Sequence, residues 1–140
     1  MSRVIKTESA GKDRTRLVNA IVLALRELMQ QPEPDVLSRD LAAFIALALN
    51  MIHATIDQSV NAWEKRGYWV KADRFRMEWE WTERTSAQLR EALISDDWAA
   101  VAIISAQVGQ RFSNVNIPVR NRIGKPWVGA WNVLQNKPGV

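Results

Sequence analysis

The chain of 140 residues contains no cysteine and only one histidine, His53. Without cysteine it has no disulfide bond, no thiolate nucleophile and no cysteine-ligated zinc or iron–sulfur site. The lack of cysteine also suits a reducing compartment. With a single imidazole, a Ser-His-Asp triad or a histidine-rich metal site has at most one candidate residue. The composition therefore disfavours the enzyme classes that depend on these groups, and we expect neither a metal nor another cofactor.

A long uninterrupted apolar segment is also missing. The first residues, Met-Ser-Arg-Val-Ile-Lys, differ from the apolar stretch of a signal peptide. The longest apolar-rich run, residues 41–54, is interrupted by Asn50 and His53 and is shorter than the ~20 residues that cross a bilayer. The chain length suits one domain with its own core. We therefore expect a single cytoplasmic domain over residues 1–140, without a membrane partner.

Charge is present but unevenly distributed along the chain. Residues 1–16 hold five bases against two acids, and residues 111–140 hold five bases and no acid, whereas the middle is acidic to neutral. Thirteen of the nineteen bases are arginine, which suits bidentate contact with phosphate or carboxylate. Two interpretations follow from this pattern: a solvated basic surface, or a surface that binds the phosphates of a nucleic acid.

Helical periodicity dominates the sequence and predicts an all-α fold. We expect a bundle of four main helices over residues 13–31, 37–66, 71–94 and 96–112. A basic N-terminal arm, residues 1–12, precedes the bundle, and residues 113–140 form a basic loop with a short C-terminal helix that starts at Pro126. Ser95 is the expected N-cap of the fourth helix. The expected core line of the second helix is Leu41, Ile45, Leu49, Ile52, Ile56 and Trp63.

The third predicted helix, residues 71–94, is the ambiguous element. Apolar and polar residues alternate in its first half, which is typical of a β-strand. Opposite charges at a spacing of four, such as Arg76 and Glu80, favour a helix instead. We predict a helix, and if Trp79 faces the core, Trp81 points about 160° further round that helix.

The acid-free C-terminal stretch is the strongest candidate for contact with nucleic acid. Arg120 and Arg122 point to the same side of an extended chain, and Lys125 follows closely. Pro118 and Pro126 prevent one continuous helix there. Such a strip can follow a phosphate backbone without reading bases. The other bases that we assign to the binding surface are Arg14, Arg16, Lys65, Arg66 and Arg111.

The outward side of the third helix is a candidate protein interface. If Trp79 faces the core, Trp81 lies on the opposite side of the helix beside Met77 and Arg84. An amphipathic surface with an aromatic residue is typical of protein–protein contacts, so we expect another subunit or a stacked second copy there. The alternative is a central helix that is buried on both sides.

Tyr68 and Trp69 lie in the predicted connection between the second and third helices. They follow Lys65 and Arg66, and aromatic rings beside basic residues can stack on the bases of a nucleic acid. Two aromatic residues in a helix connection can equally cover the end of the core. Both interpretations remain open from the sequence.

His53 shares the polar stripe of the second helix with Asp57 and Glu64. His53 and Asp57 are one turn apart, so a carboxylate can orient the imidazole in a small-ligand site or an active site. Metal sites in bundles, however, repeat a Glu-x-x-His motif on two helices, and Asn50 stands where that glutamate would be. No nucleophile motif is present, so we expect no enzyme and a solvated or interfacial His53.

In size, helix content and charge, the whole chain resembles the small helical subunits of multisubunit CRISPR RNA-guided effector complexes. No sequence motif carries this resemblance. It implies a non-catalytic bundle of an antiviral ribonucleoprotein, present in several stacked copies, that binds DNA or RNA backbone through basic residues. The first hypothesis is therefore a nucleic-acid-binding subunit of a larger assembly. The alternative is a self-associating interaction or scaffold module without nucleic acid, whose charges serve solubility.

Overall fold

The computed structural model describes residues 7–136, and this part of the chain is all-α, as the periodicity predicts. Within this range no strand occurs. The described residues form six helices rather than the predicted four plus one, because the predicted third helix is divided. The helices are α1 (Thr7–Met29), α2 (Val36–Lys65), α3 (Trp69–Trp79), α4 (Trp81–Ile94), α5 (Trp98–Arg111) and α6 (Ala130–Asn136).

The N-terminal helix starts earlier than the sequence pattern predicts. Because α1 begins at Thr7, residues 7–12 belong to the helix and not to a basic arm. Residues 1–6 of that predicted arm lie outside the described residues, as do the last four residues of the predicted basic loop and C-terminal helix, 137–140.

The central element of the fold is α2. Its predicted core line is buried from Leu41 to Ile56, and Trp63 is partly buried against the same core. Four helices pack on it, namely α1, α3, α4 and α6. By length and composition alone α2 qualifies as a membrane-spanning helix, but half of its apolar segment is buried among its described neighbours. An apolar helix enclosed by other helices has the composition expected for the centre of a bundle.

Both ends of α2 have specific caps. At the start, the Asp35 carboxylate accepts a hydrogen bond from the backbone N–H of Ser38 at 2.8 Å. The hydrogen bonds from Ser38 lower the pKa of the Asp35 carboxyl group. At the end, Gly67 has a φ of 82°, and the N–H of Tyr68 donates to the carbonyl of Trp63. This Schellman geometry turns the chain sharply into α3.

The predicted third helix is helical, but it is divided at Glu80. The hydroxyl of Thr82 donates to the carbonyl oxygen of Trp79 at 2.8 Å across the division. Glu80 keeps helical φ and ψ angles of −62° and −24°, so the division does not shift the helical phase, and Thr82 and Ser86 continue the line of Trp79. Trp81 is nevertheless only 8% exposed, because Phe112 at the end of α5 covers its side of the helix, with the two ring centroids 5.5 Å apart. The prediction that Trp81 faces away from the core is therefore wrong.

The start of α5 also differs from the prediction. Asp97 is the N-cap and accepts a hydrogen bond from the N–H of Ala100 at 3.1 Å. Ser95, the predicted N-cap, closes α4 instead, and its N–H donates to the carbonyl of Glu91. Asp96 makes the turn between the two helices with a φ of 54°.

The C-terminal segment is attached to α2 through Asp40. One carboxylate oxygen accepts a hydrogen bond from the N–H of Gly129 at 3.1 Å, and the other accepts one from the N–H of Trp131 at 3.0 Å. The helix itself begins at Ala130, four residues after the predicted start at Pro126. The buried side chains of this segment are Trp127, Ala130 and Leu134.

Candidate nucleic-acid interface

Residues 113–125 connect α5 to the C-terminal segment without helix or strand. The three bases predicted to contact phosphate here, Arg120, Arg122 and Lys125, are all exposed. Among the described residues none of the three forms an ion pair. This basic strip therefore presents uncompensated positive charge to solvent.

The basic strip is attached to the bundle by its apolar side chains. Val115 and Ile117 are partly buried and pack against the core. The side-chain amide of Asn121 donates to the carbonyl of Pro118 at 3.2 Å, and its oxygen accepts from the N–H of Ile123 at 3.2 Å. This turn lies between the two arginines of the strip, so the bases stand on a locally ordered backbone.

Arg111 and Arg16 are also exposed, but their surroundings differ. The guanidinium of Arg111 lies 5.0 Å from the centroid of the Trp81 ring, a cation–π contact that leaves its charge without an acidic partner. Arg16 Nη1 lies 3.9 Å from Asp13 Oδ1, and its side chain is 76% exposed. Arg111 thus extends the unpaired charge of the basic strip, whereas the charge of Arg16 is partly compensated.

Arg14 does not belong to the exposed surface, and its assignment to a binding site is wrong. It is 8% exposed, its guanidinium donates to the Ser59 hydroxyl at 3.1 Å, and it lies 4.7 Å from the Phe75 ring centroid and 5.9 Å from that of Trp79. Burial lowers the pKa of the Arg14 guanidinium, and the nearby charge of Glu78 opposes this shift. Arg14 therefore joins α1 to α2 and α3 in the interior.

The α2–α3 corner, residues 65–71, carries the remaining predicted bases. Lys65 and Arg66 are exposed. Tyr68 is 53% exposed and Trp69 is 60% exposed, so the interpretation that this pair covers the end of the core is wrong. No hydrogen bond, ion pair or ring contact within residues 7–136 joins this corner to the basic strip. The strip leads from the end of α5 to Gly129 beside Asp40, near the start of α2, whereas the corner lies at the end of α2. Apart from Arg14 and Arg16 on α1, the predicted bases thus form two separate surfaces.

The predicted protein interface is only partly exposed. Met77 is 71% exposed and Arg84 is also exposed, but the buried Trp81 does not join them at the surface. Arg84 lines a cleft of about 490 Å³ between α2 and α4, together with Asn50 and Glu83. Without Trp81, this side of the molecule lacks the aromatic anchor on which the prediction depended.

His53 is grouped with carboxylates, although with a different set from the predicted one. Its Nε2 atom lies 3.2 Å from Glu83 Oε2 and 3.5 Å from Asp57 Oδ2. Glu64 pairs with Arg76 instead, since it lies three helical turns along α2 from His53. Among the described residues, no group of three or more histidine and acidic side chains is placed to hold a metal ion. His53 therefore links α2 to α4.

An exposed apolar face on α5 is absent from the sequence predictions. From residue 98 to 110 this helix contains no charged residue, yet only Val101, Ser105 and Val108 are buried. Ile103 is 61% exposed, and its exposed neighbours on the helix are Ala99, Ala102, Ala106 and the uncharged Gln107. The missing charge was the sequence signal for this face, because a helix at the edge of a bundle normally has a polar side.

No family model, curated protein or solved structure matches the chain.

Proposed function

We propose that this protein is a non-catalytic helical subunit that binds the backbone of DNA or RNA without reading sequence, as part of a larger assembly. The observation that supports this most directly is the basic strip of residues 113–125 with the adjacent Arg111. Four exposed bases stand there without an acidic residue in the segment. Phosphate contacts of this kind supply affinity without base recognition.

The distribution of ion pairs supports the same proposal. Acidic residues elsewhere in the described chain neutralise Arg16, Arg39 and Arg76, all of which lie outside the basic strip. The strip is thus basic because it has no acids, and not merely because the whole protein has a net charge of +4. A polyanion favours a local cluster of unpaired bases over charge that is evenly spread.

A salt series with fluorescently labelled DNA and RNA tests this proposal. We expect the parent protein to bind oligonucleotides of different sequence with similar affinity, and the logarithm of its binding constant to fall linearly with the logarithm of salt concentration. Replacing Arg120, Arg122 and Lys125 by alanine should weaken binding to every sequence about equally. It should reduce the salt slope by up to about three phosphate contacts.

The control is the double variant Arg26→Glu and Gln30→Glu, which removes the same net charge from exposed positions at the end of α1. It should leave the salt slope nearly unchanged, because the slope counts the phosphates that the protein contacts and not its net charge. If the control and the triple alanine variant weaken binding equally, binding depends on net charge alone and the basic strip is not the contact surface. If the parent binds no nucleic acid at low salt, the proposal fails.

The second candidate function is a self-associating scaffold module, and the outward face of α5 favours it. This face is uncharged and mostly apolar, so two copies can approach without like-charge repulsion. Ile103→Glu would place a charge at its centre. The scaffold function predicts a concentration-dependent oligomer that this variant dissociates in sedimentation experiments. A parent protein that stays monomeric at high concentration excludes self-association.

A further inference from the structure

We propose that the α2–α3 corner is a base-stacking site that selects single-stranded over double-stranded nucleic acid, with Trp69 as its main platform. This inference rests on the proposed function and adds that the preferred nucleic acid is single-stranded. Tyr68, Trp69 and Val70 are exposed by 53%, 60% and 68%, respectively. Exposed neighbouring tyrosine and tryptophan side chains offer two flat rings to a ligand, where most large aromatic side chains are kept inside.

The aromatic rings stand on a rigid backbone. The Schellman turn at Gly67 ends α2, and Trp69 is already the first residue of α3. The carbonyl of Tyr68 accepts a hydrogen bond from the N–H of Ala72 at 3.0 Å, and Ala72 is fully buried. A ring on a fixed helix end loses little freedom when a base stacks on it, which favours binding.

The charge around the corner suits a polyanion. Residues 64–76 contain five bases and two acids, Glu64 and Asp73. Both acids bind the same side chain: Arg76 donates to Glu64 at 3.0 Å and to Asp73 at 2.7 Å, and these bonds raise the pKa of Arg76. The remaining four bases have no acidic partner among the described residues; they are Lys65, Arg66, Lys71 and Arg74.

The ammonium group of Lys71 packs against the bundle, since its Nζ atom lies 4.5 Å from the ring centroid of Trp63. This cation–π contact holds a positive charge two residues from the Trp69 platform. The combination of an aromatic surface and nearby unpaired bases is the arrangement by which proteins bind single strands without sequence preference. In a duplex the base faces stack on one another, so such a platform has no face to bind.

An anionic membrane is the other polyanion that aromatic and basic residues can bind. A helix that lies in a membrane surface needs a continuous apolar face along its length. Beyond Val70, the exposed residues of α3 are charged except for Met77. The corner therefore has two flat rings and one valine but no apolar stripe, which favours a nucleic acid.

The test compares a thymidine oligomer of about 20 nucleotides with a duplex of the same length, because single-strand sites cover about 4–16 nucleotides. We expect Trp69→Leu to weaken binding of the single strand by about five- to a hundredfold, the range of one lost stacking contact. Binding of the duplex should change less than about threefold. Trp69→Phe, which keeps a flat ring, should retain most of the affinity for the single strand.

Val70→Ala is the matched control, because it removes apolar surface from the same corner without removing a ring. It should bind both oligonucleotides as the parent does. Thermal melting by circular dichroism should show all three variants folded, since each site is mostly exposed. The tryptophan fluorescence of the parent should also be quenched by the thymidine oligomer, and less so in Trp69→Leu.

The outcomes separate this inference from the proposed function. If the triple alanine variant of the basic strip weakens binding but Trp69→Leu binds the single strand as the parent does, the stacking site is wrong and the proposed function stands. Equal losses for Trp69→Leu and Trp69→Phe also overturn it. So does Trp69-dependent binding to phosphatidylserine-containing vesicles without any effect on the oligonucleotides. If the parent binds neither oligonucleotide, both proposals fail.

Discussion

The α2–α3 corner and the division between α3 and α4 both contain tryptophan and basic residues, but the aromatic rings are covered at the division and exposed at the corner. At the division, arginines cover the rings: Arg14 lies over Phe75 and Trp79, and Arg111 lies over Trp81. At the corner, Trp69 is exposed and the bases stand beside it. Similar residues therefore form part of the core in one place and an exposed surface in the other.

The difference comes from the neighbouring helices. The division lies against the middle of the bundle, where α1 supplies Arg14 and the end of α5 supplies Phe112 and Arg111. The corner follows the last turn of α2, where no described helix passes over Tyr68 or Trp69. Whether an aromatic side chain is buried thus depends on which distant segment covers it and not on its local sequence.

The largest expected effect is a difference in the free energy of unfolding between variants of Trp81 and Trp69. Trp81→Ala removes a buried ring and leaves a cavity, so we expect a loss of about 3–5 kcal/mol in the free energy of unfolding. Trp69→Ala should change it by no more than about 0.5 kcal/mol, because that side chain is mostly exposed. Urea denaturation of the two variants measures both values. Equal losses would contradict the comparison.

The next effect compares two arginines that each lie over a tryptophan ring. Arg14→Met should cost about 2–3 kcal/mol, because it removes a buried cation–π contact and the hydrogen bond to Ser59. Arg111→Met should cost about 0.5–1 kcal/mol, because its contact with Trp81 is exposed to solvent. Thermal denaturation at several salt concentrations checks the ranking. A more stable Arg14→Met protein would mean that burying this charge costs more than its contacts return.

The smallest effect concerns the turn that presents the corner. Gly67→Ala should destabilise the protein by about 1–2 kcal/mol, because a φ of 82° strains any residue with a Cβ atom. Gly109→Ala, within α5, should stabilise it by about 0.5–1 kcal/mol, since an added Cβ there meets no atom within 4 Å. The opposite signs make the pair an internal control for chemical denaturation. Gly67→Ala should also lower the affinity for the single strand if the turn positions Trp69.

Local sequence patterns predicted much of the fold. The buried line from Leu41 to Ile56 and the end of the second helix, predicted at residue 66 and found at Lys65, both follow from patterns that act within a few residues. The acid-free basic strip was also visible, because exposure follows from charge and from the prolines that prevent a helix. These features need no knowledge of what lies next to them in space.

The candidate site was harder to predict, because the wrong predictions for Trp81 and Arg14 concern contacts between segments that are distant in the sequence. Helical periodicity places Trp81 on the side of the helix away from Trp79, but the end of α5 covers that side with Phe112. Charge predicts an exposed Arg14, but α2 and α3 provide a hydroxyl and two rings that allow its burial. Neither partner is adjacent to Arg14 in the sequence.

Residue order alone accounts for an all-α protein with a buried second helix and a basic, acid-free C-terminal strip. Only the packing of the helices decided that Arg14 and Trp81 are interior, that Tyr68 and Trp69 are exposed, and that the bases form two surfaces. The physical reason is the distance along the chain over which each interaction acts. Helix periodicity, caps and charge act over one or two turns, whereas burial is decided by contacts between segments far apart along the chain.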